Sequence, residues 1–476
     1  MQFPADPDLE MPADCENESA EVGQIPPAVE RIPAEFSNRW SPARKAVIAA
    51  TIILMNFNTT MGSSLPSGAG DALNRAFHVT SEYQKPFPVA VFLIGYIFGP
   101  VFAPLSESYG RRPVFLAAFG VYTAFTLGCA LAPNWPAFLL FRFLQGCGAA
   151  APQTVSNGLF SDIYPDLRPR GRAVTVLGLT SNVGPLVGPI ISGFTSTIWW
   201  PWQFWIALIL AAAIWPLLLF MPETYPPVIK TEESGLHEKK SIKPRDLLML
   251  LLRPIGLLVE PLVFFTDLFI LYQYIIFFLY FGLYPLVFRD TYNLSPGVSA
   301  LMFMGTAVGA VLAVFIFLAW EKYHTHAAAQ GKKWARKDEY RRLPLACFGG
   351  PLFAISEFWL GWSARPDIHW IVPALSGVLL GIGIDLTFLA LNNYLTDAYG
   401  IYSASVMASS VIIRNIFASV TIPFCTYPLY QNLGAAWACT LLGGLCCLIV
   451  PIPFAFCRWG PKLRARSPFC QMLQKK

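Results

Sequence analysis

The segment WPAFLLFRFLQGCGAAAPQTVSNGLF, residues Trp135–Phe160, is apolar along almost its whole length and carries Arg142 within it. Placing an arginine at the centre of a bilayer costs about 2.5–3.5 kcal/mol on insertion scales, so an arginine at that depth indicates a function. Gln145 and Gln153 follow three and eleven residues later, which places both amides on the same helix face as Arg142. The segment therefore predicts a membrane-crossing helix that turns a polar face towards a cavity inside the protein.

Composition places the whole chain in a membrane. Hydrophobic side chains make up 55% of the 476 residues and charged ones 13%, about half of the usual charged share of a soluble domain, and the mean hydropathy is +0.49. A helix needs about 20 apolar residues to cross about 30 Å of hydrocarbon. Such windows predict twelve spans, at 44–65, 87–106, 114–133, 137–161, 172–195, 202–221, 262–286, 298–320, 344–363, 370–397, 405–427 and 435–457.

The distribution of lysine and arginine predicts the orientation. Basic residues concentrate in the segments on the side of the two termini, whereas the opposite loops hold only Arg75, Lys85, Arg289 and Arg365. Because cytoplasmic loops are enriched in these residues, both termini are predicted to be cytosolic. The plasma membrane is the expected location, with the vacuolar membrane as the alternative. The net charge of +5 reflects this bias and gives no reason to expect nucleic acid as a partner.

The same pattern divides the chain into five regions. Residues 1–43, rich in proline and carboxylates, are predicted to be a disordered cytosolic tail. Two six-helix halves, 44–221 and 261–457, are separated by a charged cytosolic loop, 222–260, and residues 458–476 form a basic cytosolic tail. Two blocks of six spans suggest an internal duplication, and transporters commonly place their binding site between such repeats.

Cysteine and histidine give no sign of a metal site, a cofactor or an enzyme. The ten cysteines are scattered without the spacing of metal ligands or of a disulfide framework. The five histidines all fall in loops or at the edges of spans, and none has a catalytic companion at a recognisable spacing. We therefore expect no metal, no cofactor and no enzymatic activity.

Three short segments of the chain contain distinctive motifs, at Ala103–Pro113, Arg142–Ala150 and Gly184–Pro189. They resemble the signatures of the major facilitator superfamily. Ala103–Pro113 (APLSESYGRRP) is similar to its loop signature G-x-L-a-D-r-x-G-r-k, although Ala103 and Glu107 replace a glycine and the aspartate. Arg142–Ala150 (RFLQGCGAA) is similar to its fourth-span signature, and Gly184–Pro189 (GPLVGP) to the fifth-span motif of its antiporters.

Further segments resemble the fungal twelve-span drug:proton antiporter branch of that family, among them PETYPP at 222–227 and LNNYLTDAYG at 391–400. The resemblance implies an all-α membrane protein, a bundle of 12 transmembrane helices in two pseudo-symmetric six-helix halves. It also implies a proton-driven exporter that works by alternating access and acts as a monomer.

Two of the motifs have a physical interpretation of their own. Arg111 and Arg112 can pair with Glu107 and with the carbonyl ends of neighbouring helices, so that the loop, with Gly110, would latch the cytoplasmic face in one conformation. In the fifth span the prolines remove backbone donors and kink the helix, and the glycines allow close packing. The residues of this antiporter motif are Gly184, Pro185, Gly188 and Pro189.

Polar and aromatic side chains that share helix faces predict the substrate cavity. Amides, hydroxyls and aromatic rings recur at helical spacing in the first, fourth, seventh and tenth spans, which suits an amphipathic organic substrate. The residues assigned to this cavity are Asn56, Thr59, Ser63, Gln145, Gln153, Gln273, Phe277, Tyr280, Tyr284 and Asn392. The arginine favours neutral or anionic substrates, and Gly282 stands where relatives that export polyamines often have an acidic residue.

Coupling to protons requires a carboxylate at membrane depth. Asp267 and Asp385 are the leading carriers and are assigned to coupling together with Arg142, whereas Glu260 and Glu357 are placed near span ends as solvated structural groups. We expect Arg142→Ala and Arg142→Lys to abolish transport while membrane insertion and abundance stay near normal, because lysine lacks the planar fork of arginine.

Alternative functions remain open at this point. A facilitator or an importer of a small organic solute or polyamine would use the same cavity, and a membrane-embedded enzyme is disfavoured by the histidine pattern. The expected partners are a small-molecule substrate, protons and the lipid bilayer.

Overall fold

A computed structural model describes residues 40–233, 256–337, 339–400 and 403–466. Nearly all of the predicted disordered tail, most of the central loop 222–260 and the last ten residues of the basic tail lie outside these ranges. Every regular element in the described ranges is helical. The helices are α1 Pro42–Gly68, α2 Gly70–Ala76, α3 Phe87–Tyr96, α4 Gly99–Tyr109, α5 Arg111–Ala130, α6 Trp135–Ile163, α7 Leu167–Thr195, α8 Trp202–Leu219, α9 Pro226–Glu233, α10 Pro261–Tyr292, α11 Pro296–Leu301, α12 Phe303–Ala329, α13 Glu339–Ser363, α14 Ile371–Tyr399, α15 Ser403–Ile449 and α16 Pro451–Arg466, with a 3₁₀ turn at Lys333–Arg336.

Local signals in the sequence define several helix ends. Ser41 accepts a hydrogen bond from the backbone N–H of Arg44 at 3.3 Å and caps α1, and Asn134 accepts one from Ala137 at 2.9 Å and caps α6. Asn293, at φ +53°, ends α10 in the left-handed conformation that asparagine tolerates. These caps satisfy backbone groups that a membrane would otherwise leave unpaired.

Twelve membrane crossings can be traced through the described residues. Ten segments there are long and apolar enough to cross a bilayer. One of them, Ser405–Arg464, has 60 residues and breaks at Gly434, whose φ is +70°, so it contains two crossings. Helix α6 is the remaining one, with 29 residues that extend about 43 Å. The polar residues of α6 lower its mean hydropathy, but the helix is long enough to cross the bilayer. The described residues thus contain twelve crossings, and the predicted bundle of twelve helices is confirmed.

The chain termini define one face of the bundle, which we call the termini face, and the turns after α1 and α10 define the opposite loop face. Contacts across the two halves concentrate at the loop face. Arg289 forms an ion pair there with Asp71, and a Cβ on Gly193 would lie 2.8 Å from the carbonyl oxygen of Pro296. The described ion pairs of the termini face each join helices of one half, such as Arg111 with Asp162. The halves are therefore held together at the loop face.

Candidate functional site

Arg142 is completely buried, with 0% of its surface exposed. Its Nε donates to the carbonyl oxygen of Pro88, Nη1 to that of Gly62 and Nη2 to that of Ser63, each at 2.8 Å. Nη1 also donates to Oε1 of Gln145 at 2.8 Å. Four of the five guanidinium N–H donors thus have protein acceptors.

These bonds join the helices of the first half. Arg142 on α6 bonds to α1 and to the start of α3, and its guanidinium carbon lies 4.4 Å from the ring centre of Phe92. Gln145 is held in turn by Thr126, which accepts from its Nε2 at 2.8 Å. In this state the polar face of α6 meets backbone carbonyls where we expected a cavity, so a role of Arg142 in proton coupling stays a prediction. Gln153, further along the same face, is half-buried.

The polar residues predicted on α1 are also engaged within the first half. Asn56 donates to the hydroxyl of Ser181 on α7 at 2.9 Å. Thr59 and Ser63 donate to carbonyls of α1 itself, at 3.0 and 2.7 Å. All three are buried. Asn56 joins α1 to α7, and Thr59 and Ser63 are satisfied within α1, so none of them stands open to a ligand in this state.

The glycine and proline motif of α7 packs directly against α1. A Cβ on Gly188 would lie 2.8 Å from the carbonyl oxygen of Met61, and one on Gly184 would collide with the hydroxyl of Thr60. Pro189 has no N–H to donate to the carbonyl of Pro185 one turn earlier. Ser64 on α1 donates to that carbonyl at 2.5 Å. The motif therefore builds a close contact between two helices and supplies the acceptor that joins them.

The second half places its acidic and basic groups on facing helices. Asp267 on α10 is 4% exposed and accepts a hydrogen bond from Ser410 on α15. One turn beyond Ser410, the guanidinium of Arg414 lies 5.0 Å from the ring centre of Tyr274. Tyr274 donates to Oδ1 of Asn415 at 2.9 Å. Arg414 falls within the predicted span 405–427, and the sequence analysis gave it no role, although a charge at that depth was the signal that could have identified it.

Asp385 lies between the halves. It is 4% exposed on α14, and it accepts a hydrogen bond from the side-chain amide of Asn182 on α7. Asn392, two turns further on, donates to the carbonyl of Phe388 in its own helix at 2.8 Å. Asn182 was not identified from the sequence, because a single amide in a span more often joins helices than marks a site.

The aromatic residues predicted on α10 form a buried stack. Tyr280 and Tyr284 have ring centres 5.5 Å apart, and Phe277 is buried with them. Gln273 is buried, and neither atom of its amide has a hydrogen-bond partner among the described residues. Glu357 is 0% exposed and both its oxygens are unpartnered there, so the expectation that it is a solvated group near a span end is wrong.

The motif Ala103–Pro113 lies on the termini face, and its arginines do not form the contact with Glu107 that we expected. Arg111 is buried and forms its ion pair with Asp162, at 3.0 Å, rather than with Glu107, which is exposed. The carboxylate of Glu223 accepts from the backbone N–H groups of Arg111 and Arg112, at 2.9 and 3.0 Å.

Two further contacts complete this motif. Arg112 donates to the carbonyl of Leu219 at the end of α8, at 2.7 Å, which confirms the expected contact with a helix end. Gly110 has φ +98°, and a Cβ there would lie 2.5 Å from Glu223. Asp162 and Glu223 were missed because they are distant in sequence from the motif that they complete.

Comparison with known proteins gives consistent results. The family model described as Major Facilitator Superfamily matches residues 48–423. The chain is 33% identical to MFS transporter prlG of a fungal species (strain NRRL 50135), over 91% of this chain and 95% of the relative. It is 32% identical to Efflux pump FUB11 of Gibberella moniliformis, over 92% of this chain and 75% of the relative.

Solved structures show the same fold. The human organic anion transporter MFSD10 aligns with a TM-score of 0.60 and 17% identity, covering 87% of this chain and 100% of that one. The xylose transporter XylE from E. coli aligns with a TM-score of 0.61 and 18% identity, covering 88% and 98%. At these identities the likeness concerns the fold alone.

Proposed function

Because the chain belongs to the major facilitator superfamily, we propose that it exports a small amphipathic organic compound in exchange for protons. It is a multi-pass membrane transporter and not an enzyme. Membership of the family shows that the protein is a transporter, and the proposal specifies the direction of transport, the driving ion and the class of substrate.

The contact between Asp385 and Asn182 is the observation that carries the proposal. It joins the two halves at a depth where the carboxyl group is almost completely buried. A hydrogen bond to an ionised carboxylate is roughly twice as strong as one to a neutral acceptor. Ionised Asp385 therefore strengthens this contact between the halves, and protonation weakens it. Proton binding and the movement of the halves are linked through this bond.

Export is supported by the packing of α7 and by the relatives. The glycines and prolines of α7 bring it close to α1, and a contact this close leaves no space for water between the two helices at these positions. Relatives that cover most of the chain are named efflux pumps. The halves meet at the loop face in this structure. If the termini face is cytosolic, this state is closed towards the outside, and it corresponds to the stage at which a substrate enters from the cytosol. The plasma membrane and a monomeric protein are part of the proposal.

The test of coupling uses full-length protein in proteoliposomes. An untargeted comparison of metabolites exported with and without the protein supplies the substrate, and fluorescein serves as the first probe. Gradient-driven accumulation and gradient-free exchange are measured for Asp385→Asn, Asp267→Asn and a control on an exposed loop residue, Asp367→Asn.

The expected result separates energy input from binding. Asparagine keeps the shape of aspartate but cannot titrate, so a carrier variant should lose uphill transport and retain exchange. The control should retain both. If Asp385→Asn and Asp267→Asn both still concentrate the substrate against its gradient, neither aspartate is the essential carrier and the coupling proposal fails.

A further inference from the structure

The two arginines at membrane depth have different surroundings. Arg142 is held by four hydrogen bonds from protein acceptors. Arg414 is 6% exposed, yet its guanidinium has no hydrogen-bond or ion-pair partner in the described ranges, and its Nε is buried without one. Burying an unpaired cation costs several kcal/mol. The guanidinium group of Arg414 therefore has N–H donors and a positive charge that no described residue pairs with, and we call this group the Arg414 fork.

Aromatic rings flank this fork on two helices. Its guanidinium carbon lies 5.0 Å from the ring centre of Tyr274 on α10 and 5.6 Å from that of Phe388 on α14. The rings contribute cation–π attraction but accept no hydrogen bond in the plane of the guanidinium. The N–H groups remain available to an acceptor, and the rings provide an apolar wall beside it.

The fork lies next to the seam between the halves. Val411, one turn before Arg414 on α15, would lie 3.8 Å from a Cβ on Gly99 of the first half. Tyr96, one turn before Gly99, is an electrostatic neighbour of Arg414, and its buried hydroxyl has no partner among the described residues. A movement of the halves that separates α4 from α15 would give a ligand access to this position.

An acid of the protein lies near the fork without neutralising it. Asp267 acts electrostatically on Arg414 but is not within ion-pair distance of it, since its Oδ1 is bonded to Ser410 and its Oδ2 has no described partner. Within the part of the chain that the structure describes, Tyr96 and Tyr274 are the other ionisable groups that interact electrostatically with Arg414, and neither carries a negative charge at neutral pH. The positive charge of Arg414 is thus left without an ion-pair partner among the described residues, and an external anionic group could supply one.

We propose that Arg414 binds the ionised carboxylate of an amphipathic organic acid, with Tyr274 and Phe388 against its apolar part. The inference rests on the proposed transport function and specifies the substrate class. Arginine suits this task because its planar donors match the two oxygens of a carboxylate. The cationic character that the sequence analysis assigned to Arg142 is thereby reassigned to Arg414.

The test compares acids with their methyl esters, which differ in charge but hardly in size. Binding to purified full-length protein in detergent is measured at neutral pH for 1-pyrenebutyrate, 1-naphthaleneacetate and dodecanoate and for the three esters. Wild-type protein should bind at least one acid about tenfold more tightly than its ester, a factor that corresponds to about 1.4 kcal/mol. Arg414→Gln should remove that preference and leave ester binding unchanged. Arg365→Gln, at an exposed loop position, is the matched control and should keep the preference.

Two outcomes overturn the proposal: wild-type protein without a preference for any of the three acids, or a preference that persists in Arg414→Gln. If Arg414→Gln does not fold, Arg414→Lys decides, because it keeps the positive charge but lacks the planar donors that match a carboxylate. The preference for the acid should then fall several-fold with ester binding unchanged, and a preference equal to that of wild-type protein refutes the role of the Arg414 fork. No gradient is present, so a failure of proton coupling would leave this result standing.

Discussion

Replacing Arg142 by lysine tests whether its fork or only its charge is required. The three backbone carbonyls of Pro88, Gly62 and Ser63 are reached from three different nitrogens, each at 2.8 Å. Lysine carries its donors on a single nitrogen and can satisfy one of these carbonyls, so two lose their donor.

The size of the effect follows from those two lost bonds. Hydrogen bonds between membrane helices average about 0.6 kcal/mol each, whereas a buried acceptor left unpaired costs about 1–3 kcal/mol. Arg142→Lys should therefore lower the free energy of unfolding by about 1–6 kcal/mol. For a unit of 150–250 residues this corresponds to a fall in the melting temperature of about 2–4 °C per kcal/mol. Arg142→Ala leaves every one of these acceptors unpaired, so we now expect it to reduce abundance as well as transport.

The measurement is thermal unfolding of purified protein in detergent, followed by tryptophan fluorescence, with transport measured on the same preparations. Arg365→Lys, on an exposed loop, is the control and should not change the melting temperature. If Arg142→Lys melts within 1 °C of wild type and transports normally, the arginine supplies only a positive charge and the reasoning from its three carbonyls is refuted.

Three further substitutions probe other contacts. Gly188→Leu should lower the free energy of unfolding by about 1–3 kcal/mol through overpacking, because even a Cβ there would lie 2.8 Å from the carbonyl oxygen of Met61. The effect is measured as lower abundance and a lower melting temperature. Normal abundance would show that α1 and α7 can separate freely. Glu357→Gln should leave the melting temperature unchanged at neutral pH, because a buried carboxyl group without a described partner is most stable uncharged, and a clear fall would indicate an ionised, paired carboxylate. Asp162→Ala should destabilise the protein by about 3–5 kcal/mol, because it leaves buried Arg111 without its ion-pair partner; exposed Glu107→Ala is the control, and equal melting temperatures for the two would contradict this assignment.

The site residues show where reasoning from sequence was limited. Periodicity placed Arg142 and Gln145 on one face of α6, and they do bond to each other. It could not show that α1 and α3 present carbonyl oxygens to that face, because every residue has a backbone carbonyl and the residue pattern does not indicate which of them accept a hydrogen bond from Arg142. The partners of Arg111 illustrate the same limit, since Asp162 and Glu223 are distant in sequence and only the packing of α5 against α6 and α8 brings them to it.

Glu357 and Arg414 illustrate a second limit. The distance of a residue from a span end does not measure its exposure to solvent, since Glu357 is enclosed by neighbouring helices and completely buried. Arg414 carried the same signal as Arg142, a charge within a span. Which of two buried cations is already paired depends on the helices that surround each one.

The helical class and the number of membrane crossings follow from the residue pattern alone, because the cost of burying backbone and charge in hydrocarbon applies to each segment separately. The residue pattern also determined the family, through short motifs that occur within single segments. The tertiary structure alone decided which polar groups pair with one another, that Arg142 is held by carbonyls while Arg414 is not, and that Asp385 meets Asn182 between the halves. Those facts depend on contacts between segments far apart in the chain, and contacts of that kind are not encoded in any one helix.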